Sequence, residues 1–185
     1  MYHIKNDKRA RASTELICAG LLACMKEKPF ARITITDVQR ASTVSRSTFY
    51  RNFDCLEDVL ALLCDRGFQA VFSEYNALPP EQRGSLAKAV FQYWFRNSAV
   101  LEALVQIHRT DILFDSLRRS SGLIQALQPM ADDPARFDYF VAIITSSMIG
   151  VLTVWVEHGK TKTEDQMVQK LTSAFIEMAI LELPG

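Results

Sequence analysis

Apolar residues recur at helical spacing from near the start of this chain to near its end, and no run of strand-like alternation appears. Between residues 8 and 28, Leu16, Ile17, Leu21, Leu22, Cys24 and Met25 fit one face of an amphipathic helix, and Pro29 helps to stop it. Two very short helices follow. Thr34 caps the first, over about 35–42, with Asp37 three residues on; Ser45 caps the second, over about 46–52. Asp54 and Glu57 read as an acidic analogue of a capping box for a long apolar helix that runs to about Leu78 and ends at Pro79 and Pro80. Further helices are expected near 85–96, 98–108, 111–127, 135–158 and 164–183, with breaks at Asn97, 109–111, 129–134 and Gly159. Thr163 with Gln166 supplies a capping box for the last, and Gly159 suits a left-handed terminator for the one before. The predicted class is all-α, with about nine helices: an N-terminal three-helix head with a helix-turn-helix over residues 1–53, and a larger helical bundle over 54–185.

Composition adds a sharp asymmetry. The chain has 185 residues, 49% of them hydrophobic, with only 7 Gly and 6 Pro, which is enough to bury a sizeable core. Its formal net charge is zero, yet residues 1–53 hold ten Lys and Arg against four Asp and Glu, and residues 54–185 hold eleven against seventeen. The first quarter is suited to meeting a polyanion; the rest is not. The four cysteines, Cys18, Cys24, Cys55 and Cys64, form no C-x-x-C pair and read as small buried residues in a cytoplasmic protein, with Cys55, near a helix start, the best placed to be reactive. Residues 139–156 are 18 without a formal charge, about 27 Å as a helix and near the lower limit for crossing a bilayer. Acidic residues crowd the ends of this stretch, and Thr145, Ser146, Ser147 and Thr153 interrupt it. A buried helix or a subunit interface is therefore the expected setting, with no membrane partner.

The chemistry of residues 33–53 points to DNA. Phe49 and Phe53 lie four apart on one face of the second short helix, where Val38, Ala41 and Val44 are expected to join them in a small core. Ser47, Thr48 and Arg51 then point away. On the free face Arg46 and Arg51 reach guanine edges or phosphates, Ser47 and Thr48 offer short hydroxyls, and Tyr50 donates to a phosphate. With Thr36 and Ser45 these form the candidate DNA-binding set. An exposed face of Arg and Ser is also the ordinary surface of a solvated helix. The order Ser-Arg-Ser-Thr-Phe-Tyr-Arg-Asn-Phe is more specific than its composition.

That order resembles the DNA-binding domain of the TetR family of bacterial transcriptional regulators. The likeness rests on Ile33, Thr34, Asp37, Val38, Val44, Ser45, Thr48, Phe49, Tyr50 and Phe53, with Ser42 where the family has Ala and Val59 where it has Leu. It extends over about residues 8–64. The segment 155–159, Trp-Val-Glu-His-Gly, with the Lys-Thr-Lys-Thr-Glu-Asp after it, is similar to the DhaS-like subset of the family. The resemblance implies a homodimer through the helices near 135–158 and 164–183, one recognition helix per half-site of a double-stranded operator, and a small-molecule effector in the larger domain. Two positions depart from the pattern. Thr43 stands where the turn usually has Gly, and because a β-branched residue tolerates positive φ poorly another turn geometry is expected. Leu56 replaces a Lys, removing one expected phosphate contact.

The rest of the chain is rich in aromatic residues, and Trp94, Phe114, Phe140 and Trp155 are the candidates for lining an effector pocket, against the plainer reading of core and dimer packing. His108 and Asp111, three apart, suit either an oriented imidazole or a surface contact. No H-E-x-x-H, G-x-S-x-G or phosphate-binding loop is present, so no catalytic residue, metal ligand or cofactor is assigned. The leading expectation is a ligand-responsive repressor. Its alternatives are a DhaS-like coactivator whose effector is a partner protein, and an enzyme or metal-binding bundle, which would need Glu-x-x-His repeats in place of the adjacent Glu157 and His158.

Overall fold

A computed structural model describes residues 2–5, 7–123 and 133–181 of the chain. Its described residues form nine α-helices: α1 (Lys8–Glu27), α2 (Ile35–Ser42), α3 (Arg46–Asn52), α4 (Leu56–Ala77), α5 (Leu86–Arg96), α6 (Ser98–Gln106), α7 (Asp111–Ser120), α8 (Pro134–Glu157) and α9 (Glu164–Leu181). Short 3₁₀ turns lie at Phe30–Arg32, Pro80–Gln82 and Ser121–Leu123, and no strand occurs among the described residues. The seventh helix gives way after Ser120 to the 3₁₀ turn, short of the expected 127, while 124–127, the stretch 129–132 and the end of the last helix at 182–183 lie outside the described residues.

Local chemistry explains most boundaries. Asp7 caps α1 by accepting from the Ala10 N–H at 2.8 Å, and Thr163 and Gln166 exchange the two hydrogen bonds of a capping box at the start of α9. The start of α4 differs from expectation by one residue. Cys55 is its N-cap, and the Asp58 carboxylate, not Glu57, accepts from the N–H groups of Asp54 and Cys55. Asp58 reaches both orphan donors at once, while Asp54 stays exposed.

α1 packs on α2, α3 and α4. Its contact with α2 is backbone-close: a Cβ added to Gly20 would lie 2.9 Å from the Ser42 Cβ and 3.1 Å from the Val38 carbonyl oxygen, so only glycine fits without a shift. α4 is the spine of the molecule. Its first half meets α1, and its length carries on against α5, α6 and α7, with Phe68 and Phe72 fully buried. One cluster of buried side chains runs from Ile17 in α1 to Met167 in α9.

Among the described residues α8 is the helix whose length and composition would let it cross a membrane. Its apolar surface is divided, however. Val141, Thr145, Met148, Ile149, Leu152 and Trp155 form a buried stripe facing α6, α7 and α9. On the other side Tyr139, Ile143 and Val154 are 74%, 53% and 48% exposed, and Ile176 of α9 is 55% exposed. The turn into α9 is tightly held. Gly159 (φ 72°) ends α8 in the left-handed conformation as expected, Lys160 follows at φ 61° and pairs with Glu102 of α6, and the Trp155 indole N–H donates to the Lys162 carbonyl at 3.0 Å.

Candidate nucleic-acid interface

The α2–turn–α3 unit is assembled from caps. Thr34 accepts from the Asp37 N–H, and Asp37 accepts from the Thr34 N–H and hydroxyl at 2.8 and 2.7 Å. Lys28, just after α1, adds an ion pair to Asp37 at 2.7 Å. Lys28 first, then Thr34, hold this carboxyl well below the usual carboxylate range. The turn overturns the expectation for Thr43, which adopts the left-handed conformation (φ 59°, ψ 14°) despite its β-branch. The residue before it supplies support: the buried Ser42 hydroxyl accepts from the Val44 N–H at 3.3 Å. Ser45 then caps α3, accepting from the Thr48 N–H.

The inward face of α3 is closed. Phe49 and Phe53 are fully buried with ring centroids 5.8 Å apart, and Val38 and Val44 join them. Ala41 does not, contrary to expectation. The stripe of α2 that meets α1 runs through Val38 and Ser42, four apart, which leaves Ala41 exposed. Asn52, also buried, donates its side-chain amide to the Thr48 carbonyl at 2.8 Å.

The outward face carries the candidate set. Thr36, Ser45, Arg46, Ser47, Tyr50 and Arg51 are exposed and Thr48 is half-buried. The Ser45 hydroxyl lies 3.1 Å from that of Ser47 and 2.9 Å from that of Thr48, so these three form one local network. Arg46 lies over the Tyr50 ring and donates to its hydroxyl at 3.3 Å. Chemically the face offers two guanidinium groups and a row of hydroxyls on a rigidly buried base, a combination able to neutralise phosphates and meet base edges. Leu56 is not part of this face, since it is buried in the core.

The sequence reading missed the segment before α1. The His3 N–H donates to the Asn52 carbonyl at 3.0 Å, at the C-terminal end of α3, and the Tyr2 hydroxyl donates to Asp65 of α4. No periodicity signals these contacts, because each joins residues about fifty or more apart in the chain.

The four ligand-pocket candidates do not converge. Trp94 is buried against Phe68 and Tyr93, and its indole N–H has no partner among the described residues. Phe114 is half-buried against the core, and Trp155 stacks on Phe95 at 4.0 Å and borders an open hollow of about 390 Å³ between α8 and α9. Only Phe140 borders the more enclosed apolar cavity, about 160 Å³, shared by Phe72 of α4, Val90 of α5, Leu117 of α7 and Thr145 and Met148 of α8. Asp111 is gripped by a forked ion pair from Arg109, so it does not orient His108. Among the described residues no cluster of three or more His, Cys, Asp or Glu side chains is placed to hold a metal ion. Burial raises all four thiols, Cys18 to about 11, which runs against a reactive thiolate at Cys55.

Neither a family model nor a curated protein matches the sequence. Solved structures do match the fold. Lin0861 from Listeria innocua superposes with a TM-score of 0.72 at 17% identity, over 95% of this chain and 96% of that one. A protein assigned to the TetR family of transcriptional regulators, from Syntrophomonas wolfei, gives 0.64 at 18% identity, over 94% and 97%. A TetR transcriptional regulator from Streptococcus agalactiae gives 0.59 at 18%, over 91% and 96%. The chain therefore has the all-α fold of TetR-like regulators along nearly its whole length.

Proposed function

We propose that this chain is a TetR-family transcriptional regulator: a cytoplasmic, non-enzymatic homodimer that binds a palindromic DNA operator and is released from it by a small-molecule effector. The observation that carries this reading is the α3 face, where Arg46, Ser47, Tyr50 and Arg51 stand outward on a helix anchored by Phe49 and Phe53. Residues 1–53 act as the DNA-reading head and 54–185 as the effector-binding and dimerisation part. The head holds the excess of Lys and Arg that phosphate neutralisation needs. The exposed side chains of α8 and α9 supply a face for a second copy, and two heads on neighbouring half-sites would stand roughly 34–36 Å apart, one turn of B-DNA.

The cavity bordered by Phe140 is the enclosed apolar candidate for the effector, and one of the helices that bound it, α4, also packs on α1 of the head. An effector that binds better to the form with mis-spaced heads lowers operator affinity by that difference. The DhaS-like coactivator reading keeps only its C-terminal sequence likeness in its favour, and nothing in the geometry adds to it.

Fluorescence anisotropy on fragments of the host genome tests the proposal. Binding should weaken steeply with salt, and Arg51→Ala should lower affinity by roughly tenfold and reduce the salt slope by about one. Binding that ignores both salt and this substitution would sink it.

A further inference from the structure

Asp65 sits in the middle of α4 with its carboxylate buried, and three donors from two distant parts of the chain converge on it. The Tyr2 hydroxyl donates to Oδ2 at 2.5 Å, while the Ser116 hydroxyl and the Arg119 guanidinium, both from α7, donate to Oδ1, the latter at 2.8 Å. Ser116 is fully buried. A buried carboxylate stripped of such partners is strongly destabilised, so the three groups are bound to move together. Burial first, then the bond to Asp65, pushes the Tyr2 phenol up to about 12, so it remains a donor at any physiological pH.

The next residue makes the second link. The His3 N–H donates to the Asn52 carbonyl at 3.0 Å, satisfying one of the acceptors that a helix C-terminus leaves over. Tyr2 and Ile4 also pack on the core cluster. The first residues of the chain therefore tie the end of α3 to a carboxylate that α7 holds from the other side. On that other side α7 also borders the apolar cavity through Leu117, adjacent to Ser116 in sequence, and Ser121, just past its end, borders it too.

We infer that residues 2–5 are a strap that makes the mobility of α3 depend on the position of α7, with Asp65 as the junction. The consequence for regulation rests on the reading of α3 as the DNA helix and of the cavity as the effector site. Filling the cavity displaces α7, the Ser116 and Arg119 bonds to Asp65 shift, and Tyr2 and His3 release the end of α3. The strap itself is a statement about coupling within one chain and needs no DNA.

Hydrogen exchange of the full-length protein, followed by mass spectrometry, tests it without DNA. Ser116→Ala and Tyr2→Phe should each speed exchange of the amides at 50–55 by roughly five- to tenfold, with α5 and α9 unchanged. The double variant should be no faster than the Tyr2→Phe single one, because the strap is already cut. Additive effects, or a Ser116→Ala protein with loosened α7 and wild-type exchange at 50–55, would overturn the strap. Should Ser116→Ala fail to fold, Arg119→Gln, at the exposed edge of the junction, completes the same cycle. A wild-type protein that binds no genomic fragment would defeat the regulator reading alone, and the exchange cycle would still decide the strap.

Discussion

Phe49 of α3 and Phe53 just after it point inward while the arginines, Tyr50 and the hydroxyls point out, so the head is closed by apolar contacts around Val38, Val44, Phe49 and Phe53. In α8 a buried stripe of similar quality is matched by a second apolar row, Tyr139, Ile143 and Val154, left on the surface. Both regions are helical, and their difference lies in what each lacks. The head has finished its hydrophobic burial and is short of counter-charge. The α8–α9 layer has its charges in solution and is short of apolar cover. A molecule built this way is suited, under the proposed function, to a polyanion at one end and to an apolar surface at the other.

The comparison breaks most visibly at Phe53. Phe53→Ala should cost about 3–5 kcal/mol of unfolding free energy in a denaturant titration, because a fully buried ring leaves a cavity the short helices cannot fill. A loss below about 1 kcal/mol would mean the head is not closed. Ile143→Glu probes the other region. Sedimentation should show self-association weakened roughly a hundredfold, since a carboxylate is driven into an apolar contact, with little change in unfolding of the separated chain. Undiminished self-association would show that this face is not the uncovered one.

Thr43→Gly sharpens the picture of the turn. Relieving a β-branched left-handed residue gains about 1–2 kcal/mol, and glycine's extra chain entropy takes back about 0.5–1, so a net gain of about 0–1.5 kcal/mol is expected by thermal unfolding. Asp37→Asn gives the smallest effect and the clearest sign. Because the folded-state carboxyl titrates below its unfolded value of about 3.9, its contribution is complete above that pH and fades as the pH falls through the folded value. The wild type should therefore be the more stable at neutral pH, and the two denaturation midpoints should converge in acid.

What could be read from sequence was what is local. The bounds of α2 and α3 follow from Thr34 and Ser45, whose hydroxyls act within three residues, and Gly159 ends α8 for the same kind of reason. The α4 cap slipped by one residue because Glu57 and Asp58 are equally good candidates until the backbone path decides which one reaches back. Ala41 was misplaced because helical spacing alone does not say whether an i+3 or an i+4 neighbour meets α1, and Gly20 settles it in favour of Ser42. Thr43 adopts a conformation its own chemistry disfavours because the helices on either side, and the Ser42 hydroxyl, over-determine it. The Tyr2–Asp65 and His3–Asn52 links were invisible, since contacts of that separation exist only once the fold is made. Among the outward residues of α3, types were legible but pairings were not, the Arg46–Tyr50 contact included.

The length of α3 sets a limit of a different kind. Seven residues make a helix about 10 Å long, a length that matches only about three base pairs at 3.4 Å each. With four distinguishable pairs at each step, a word of three recurs by chance roughly every 64 base pairs, far too often to mark one address in a genome. Two such words at a set distance recur roughly every 4,000, and flanking contacts lengthen the address further. On the proposed function, the apolar row on α8 bears on how much text a pair of such chains could read: joining two short readers at a fixed distance multiplies the rarity of the site.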